Sequence, residues 1–131
     1  MESAEYYLAE IEAIDTAKAK VHLLRSPAPL TMQTMFKAMK GRFLAGRARW
    51  VDFSKQDAFY FDINIKRGKE GQPSKLERGD IGYSYKLDSI IVCLADDAEI
   101  PYESVKIGEM QENIKEFKSL KNGTSIKLQL L

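Results

Sequence analysis

Among its 131 residues the sequence holds one cysteine and one histidine. A lone cysteine excludes an internal disulfide. Cys93 lies in the apolar run Ile90-Ile91-Val92-Cys93-Leu94 and reads as a small buried hydrophobe rather than a nucleophile. His22 and Cys93 fall far short of a zinc set, and Asp96, Asp97 and Glu99 lack the spacing of a calcium loop, so no metal is expected. The pattern G-x-x-x-x-G-K-[ST] does not occur, and Gly68-Lys69-Glu70-Gly71 is more simply a flexible turn. No cofactor is expected. No stretch approaches the roughly 20 apolar residues of a membrane span. Met1-Glu2-Ser3-Ala4-Glu5 carries neither the basic nor the apolar part of a secretory signal, so a cytoplasmic protein is expected. An excess of either charge is missing too: the net charge of +1 gives no global pull toward nucleic acid or an anionic membrane.

What is present is an ordinary globular mixture, 44% hydrophobic and 30% charged, with the length of a single domain over residues 1–131. Tyr7, Ala9, Ile11 and Ala13 alternate with Glu10 and Glu12, a period of two that predicts a strand over 5–14. Asp15–Lys18 is a turn, and Val21, Leu23 and Leu24 close a hairpin. Ser26-Pro27 predicts a helix start, with serine as N-cap and proline in the first turn. Met32, Met35, Phe36 and Met39 then recur at helical spacing up to Gly41, a stripe that packs onto the sheet.

Strands are predicted over 42–52, 57–65, 81–85, 89–95, 104–110 and 124–130, and a second helix over 111–120. Residues 66–79 carry charges, three glycines and Pro73, which predicts an exposed loop, long enough to be functional or mobile. The expected fold is mainly β: a closed barrel of about eight strands with two capping helices, since closure leaves no exposed sheet edge.

The C-terminal half carries a resemblance. Gly79-Asp80-Ile81-Gly82-Tyr83 precedes a hydrophobic strand, and Val105-Lys106-Ile107-Gly108-Glu109-Met110, a helix, Lys121-Asn122-Gly123 and an alternating strand follow. This order resembles the small prokaryotic cyclophilin-like proteins, which share the barrel of the prolyl isomerases at reduced size. The chain departs from that family where Val51 follows Trp50 instead of glycine, and where Ser84–Asp88 replaces a proline-glycine turn.

The resemblance implies a cyclophilin-like barrel, and two functions remain in play. The leading one is a non-catalytic module holding a peptide or small molecule in a groove formed by Arg47, Arg49, Trp50, Phe59 and Phe61. The other is a peptidyl-prolyl isomerase, in which Arg47 or Arg49 places a fixed donor against the twisting amide of a proline held in an apolar pocket. An enzyme requires one of these arginines to point into an apolar pocket; a binding module does not.

Residues 37–55 also gather six cations around Trp50 and Phe53, near Tyr60. That pattern can hold single-stranded nucleic acid. Five acids in residues 1–15 and four in 96–103 oppose it, so self-association or an acidic partner fits at least as well, and nucleic acid is not the expected partner.

Overall fold

A computed structural model describes residues 6–52 and 55–131. The hairpin forms as the alternation requires. Strand β1 (Tyr6–Ala13) pairs antiparallel with β2 (Ala17–Leu24), in a register that sets Tyr7 opposite Leu23 and Ile11 opposite Ala19. Ala9, Ile11, Ala13, Ala19, Val21 and Leu23 turn inward and are buried. The remaining strands are β3 (Phe43–Arg47), β4 (Arg49–Trp50), β5 (Ala58–Asp62), β6 (Asp80–Ser84), β7 (Ser89–Cys93), β8 (Val105–Met110) and β9 (Ser125–Leu130). They form one antiparallel sheet in the order β3-β9-β1-β2-β8-β6-β7-β5-β4.

The two ends of that order are consecutive in sequence, with only Ala48 between them. The Ala48 N–H donates to the Thr124 carbonyl, and its own carbonyl accepts from the Gly123 N–H, at 2.8 and 2.7 Å. Residues 43–50 are therefore one bent strand that leaves β9 on one side and joins β5 on the other, curling the sheet into a nearly closed barrel. Counting the two halves separately gives nine strands instead of the expected eight or so. Gly46 allows the closure: a Cβ there would overlap the backbone carbonyl of Asp62 at the end of β5.

Helix α1 (Pro29–Met39) presses Met32, Met35 and Met39 into the core, as the stripe predicts. Its start differs from expectation. Ala28, not Ser26, occupies the N-cap; Pro29, not Pro27, opens the helix; and no side chain of the cap residue bonds the first turn. The second helix is also shorter and tighter, a 3-10 segment over Ile114–Ser119 entered through Asn113 at a positive φ of 56°. Ile114, Phe117 and Leu120 are spaced by three, the 3-10 period, and that spacing aligns them toward the core without an α-helix. The two segments cover opposite ends of the barrel. Helix α1 lies where β1 begins and β2 ends, and the 3-10 segment lies where Trp50, Phe59 and Phe117 meet.

Strand β7 is buried on both faces. Its outer Ile91 and Cys93 pack with Leu76 and are covered by Tyr60, Ala98, Ile100 and Tyr102. Cys93 is thus the buried hydrophobe expected, and burial pushes its thiol up from the usual range. Leu76 also corrects the exposed-loop expectation for 66–79, since it is 4% exposed and part of that outer cluster.

Candidate functional site

The residues expected to share a groove stand on opposite sides of one wall. Arg49 lies opposite Tyr60 and Trp50 opposite Phe59 across β4 and β5, so alternation sends the arginines outward and the large rings inward. Arg47 and Arg49 share the exposed outer face, and Arg47 Nη1 donates to the Gly123 carbonyl at 3.2 Å. Phe59 and Phe61 have no accessible surface, and Trp50 is 5% exposed. The Trp50 indole N–H donates to the Leu120 carbonyl at 3.0 Å, and its ring meets Phe59 edge-on at 5.9 Å. Among the described residues, the two arginines lie on the exposed face of this wall and the three rings on its buried face. Of the aromatics in or near the cationic stretch, Trp50 is core, Phe43 is exposed under Lys127, Tyr60 packs on Tyr102, and Phe53 lies outside the described residues.

A concave site opens instead at the α1 end, between β1, the end of β2 and the first two turns of the helix. Tyr7, Arg25, Ser26, Pro29, Leu30, Met32 and Gln33 line a hollow of about 410 Å³, within the ~300–1,000 Å³ usual for small-molecule sites. Tyr7 contributes the aromatic ring of the lining. Its ring stacks on Phe36 at 4.5 Å, and the Arg25 guanidinium lies 5.6 Å from the ring centroid on the cation–π side. Leu30, which also lines the hollow, is 55% exposed. Arg25, Ser26 and Gln33 supply a cation, a hydroxyl and an amide at the rim. Two other hollows, about 470 and 380 Å³, sit at the 39–43 turn and the 14–16 turn. The first is lined by Phe43, whose ring Lys127 Nζ approaches at 4.7 Å, and the second has no aromatic lining. Among the described residues no three His, Cys, Asp or Glu side chains gather as metal ligands.

The helical wall of the site is held from a distance. Glu70 accepts from the Leu30 N–H at 2.8 Å and from the Thr31 N–H and hydroxyl, each at 2.7 Å. Burial alone would push the Glu70 carboxyl up. The three hydrogen bonds and the nearby Arg67 charge outweigh it and hold the group below the usual carboxylate range. The same segment is pinned upstream, where Asp88 accepts from the Ile65 and Lys66 N–H groups and from the Tyr83 hydroxyl at 3.2, 3.0 and 2.8 Å. Sequence reasoning singled out none of Tyr7, Arg25, Leu30 or Gln33 as a site residue. The only signal lay in the break from strand to helix at Arg25–Pro29, which reads equally well as an ordinary helix start.

No protein-family model and no curated protein matches the chain. Several solved structures are similar, two of which illustrate the likeness. One is the solution structure of the hypothetical protein AF2241 from Archaeoglobus fulgidus: 22% identity, 99% of this chain and 98% of that one, TM-score 0.74. The other is McbB in complex with tryptophan: 12% identity, 93% of this chain but 44% of that one, TM-score 0.74. At these identities the likeness is one of fold.

Proposed function

We propose that this chain is a non-catalytic binding module on a cyclophilin-like barrel, holding a small molecule or the end of a peptide between Tyr7, Arg25, Leu30 and Gln33. The observation that carries the reading is the Tyr7 ring, stacked on Phe36 and approached by the Arg25 guanidinium, in a hollow that the exposed Leu30 also lines. Flat apolar walls with few converging polar groups are what a small ligand needs for affinity and orientation. The chemistry favours a ligand with a planar or branched apolar body and an anionic end. The body would lie on Tyr7, Pro29 and Leu30, with the anion toward Arg25 and Gln33. The tryptophan held by McbB, a protein of similar fold, makes L-tryptophan the first probe.

Isothermal titration calorimetry with L-tryptophan tests this. Saturable one-site binding is expected, weakened roughly tenfold or more by Arg25→Ala, since a charge-assisted hydrogen bond contributes ~1.5–3 kcal/mol. Absence of heat at millimolar ligand, or binding unchanged by Arg25→Ala together with Tyr7→Ala, would sink the proposal.

A further inference from the structure

The first turn of α1 has two N–H groups to place and no local partner for either. Pro29 carries no N–H, and the Met32 N–H already bonds the Ala28 carbonyl at 2.9 Å. That leaves Leu30 and Thr31. Ala28 offers no capping side chain, and the first turn contains no acid. Glu70 takes both N–H groups and the Thr31 hydroxyl with one carboxylate, from forty residues beyond Leu30. Leu30 therefore faces two ways: its backbone is tied to Glu70, and its side chain lines the hollow above Tyr7.

Glu70 is itself held in position. Gly71 has a φ of +78°, and a Cβ there would overlap the Pro27 carbonyl, so the strap runs against the chain just before the helix. On either side of Glu70 the strap is fastened to the barrel. The Arg67 N–H donates to the Tyr83 hydroxyl at 3.3 Å, Lys69 pairs with Glu103 at 3.3 Å, and the Ser74 N–H donates to the Ser104 carbonyl at 2.8 Å.

We infer that Glu70 is a positioning residue for the ligand site, and that the strap over residues 66–75 sets the wall the ligand meets by fixing Leu30 and Thr31 through it. The inference rests on the reading of the hollow as a binding site. It makes a half-buried acid in a charged loop decisive for a site it does not touch. Linkage is reciprocal, so a ligand seated on Leu30 tightens the Glu70 contact in return.

NMR on the isotope-labelled full chain tests this, comparing wild type with Glu70→Ala, Glu70→Gln and Gly71→Ala, each with and without L-tryptophan. Without ligand, Glu70→Ala is expected to lower exchange protection of the Leu30 and Thr31 amides roughly fivefold or more, the scale of a lost helix cap. The Leu30 methyl and Gln33 side-chain signals shift with it, while amides of β6 and β7 stay unchanged. Glu70→Gln keeps one acceptor oxygen and lies between, and Gly71→Ala displaces the strap with the carboxylate intact and moves the same signals. Tryptophan affinity falls in the same order. The core variant Ile107→Val lowers global stability but leaves affinity alone.

Unchanged Leu30 and Gln33 signals in Glu70→Ala and Gly71→Ala would overturn the inference. So would altered amides with unaltered tryptophan affinity. If tryptophan binds no form of the protein, the binding proposal fails, and the ligand-free signals still decide whether Glu70 positions the wall. Should Glu70→Ala fail to fold, Glu70→Gln and Gly71→Ala decide on the same signals.

Discussion

The two ends of the barrel are closed by different means. At the 3-10 end, Phe59 stacks on Phe117 at 6.1 Å and meets Trp50 edge-on, the indole N–H is satisfied by Leu120, and the rings are buried. The rings there are held by packing, and the hollow beside Ser119 and Lys121 has no aromatic lining. At the α1 end the methionines fill the core just as completely, but Pro29 and Leu30 of the helix's first turn stay exposed, and the turn is capped from another part of the chain. A sealed end needs only shape. An end that keeps a hollow open needs its wall held by directed hydrogen bonds, because packing from the hollow side is absent.

The contrast breaks most sharply at Phe59. Phe59→Ala opens a cavity among Trp50, Phe61 and Phe117 and is expected to cost ~3–5 kcal/mol, read as a large drop in the denaturant midpoint. A loss below about 1 kcal/mol would mean that this end is not the packed one.

The α1 end responds to pH instead. The Glu70 carboxyl sits below its ordinary value when folded, so its stabilisation is complete above the unfolded carboxyl's range near pH 4.5. It is lost as pH falls from there through the lower folded value. Wild type is therefore expected to exceed Glu70→Gln in stability by ~1 kcal/mol at pH 7, with the gap closing below about pH 4.5 in thermal melts. A gap that persists to low pH would remove the carboxylate from the helix cap.

The smallest effect belongs to the outer face. Arg47→Ala and Arg49→Ala are each expected to change stability by no more than ~0.5 kcal/mol and to leave tryptophan binding unchanged, since both side chains are exposed and away from the hollow. A tenfold loss of affinity in either would return the site to that strand.

Most of the barrel was legible because it is built from one-sided strands. The alternation of Tyr7, Ala9, Ile11 and Ala13, and of Ile126 and Leu128, is the burial pattern itself. The methionine stripe was legible for the same reason. The α1 start was not, because Ser26 satisfies the local rule while the capping group comes from residue 70, and no local pattern carries a contact across forty positions. The separation of the expected groove residues follows from geometry already contained in the alternation. Arg49 opposite Tyr60 and Trp50 opposite Phe59 put the arginines and the buried rings on different faces of one wall. The hollow at Tyr7 and Leu30 arises only when a strand end and a helix start meet, and neither segment is unusual alone.

The most direct test is a chemical-shift map of L-tryptophan added to the labelled protein. Shifts centred on Tyr7, Arg25, Leu30 and Gln33, with Phe59, Phe117 and the 43–50 strand silent, are the expected result. Shifts centred on Arg47, Arg49 and Tyr60, or none at saturating ligand, would contradict a binding site at the α1 end.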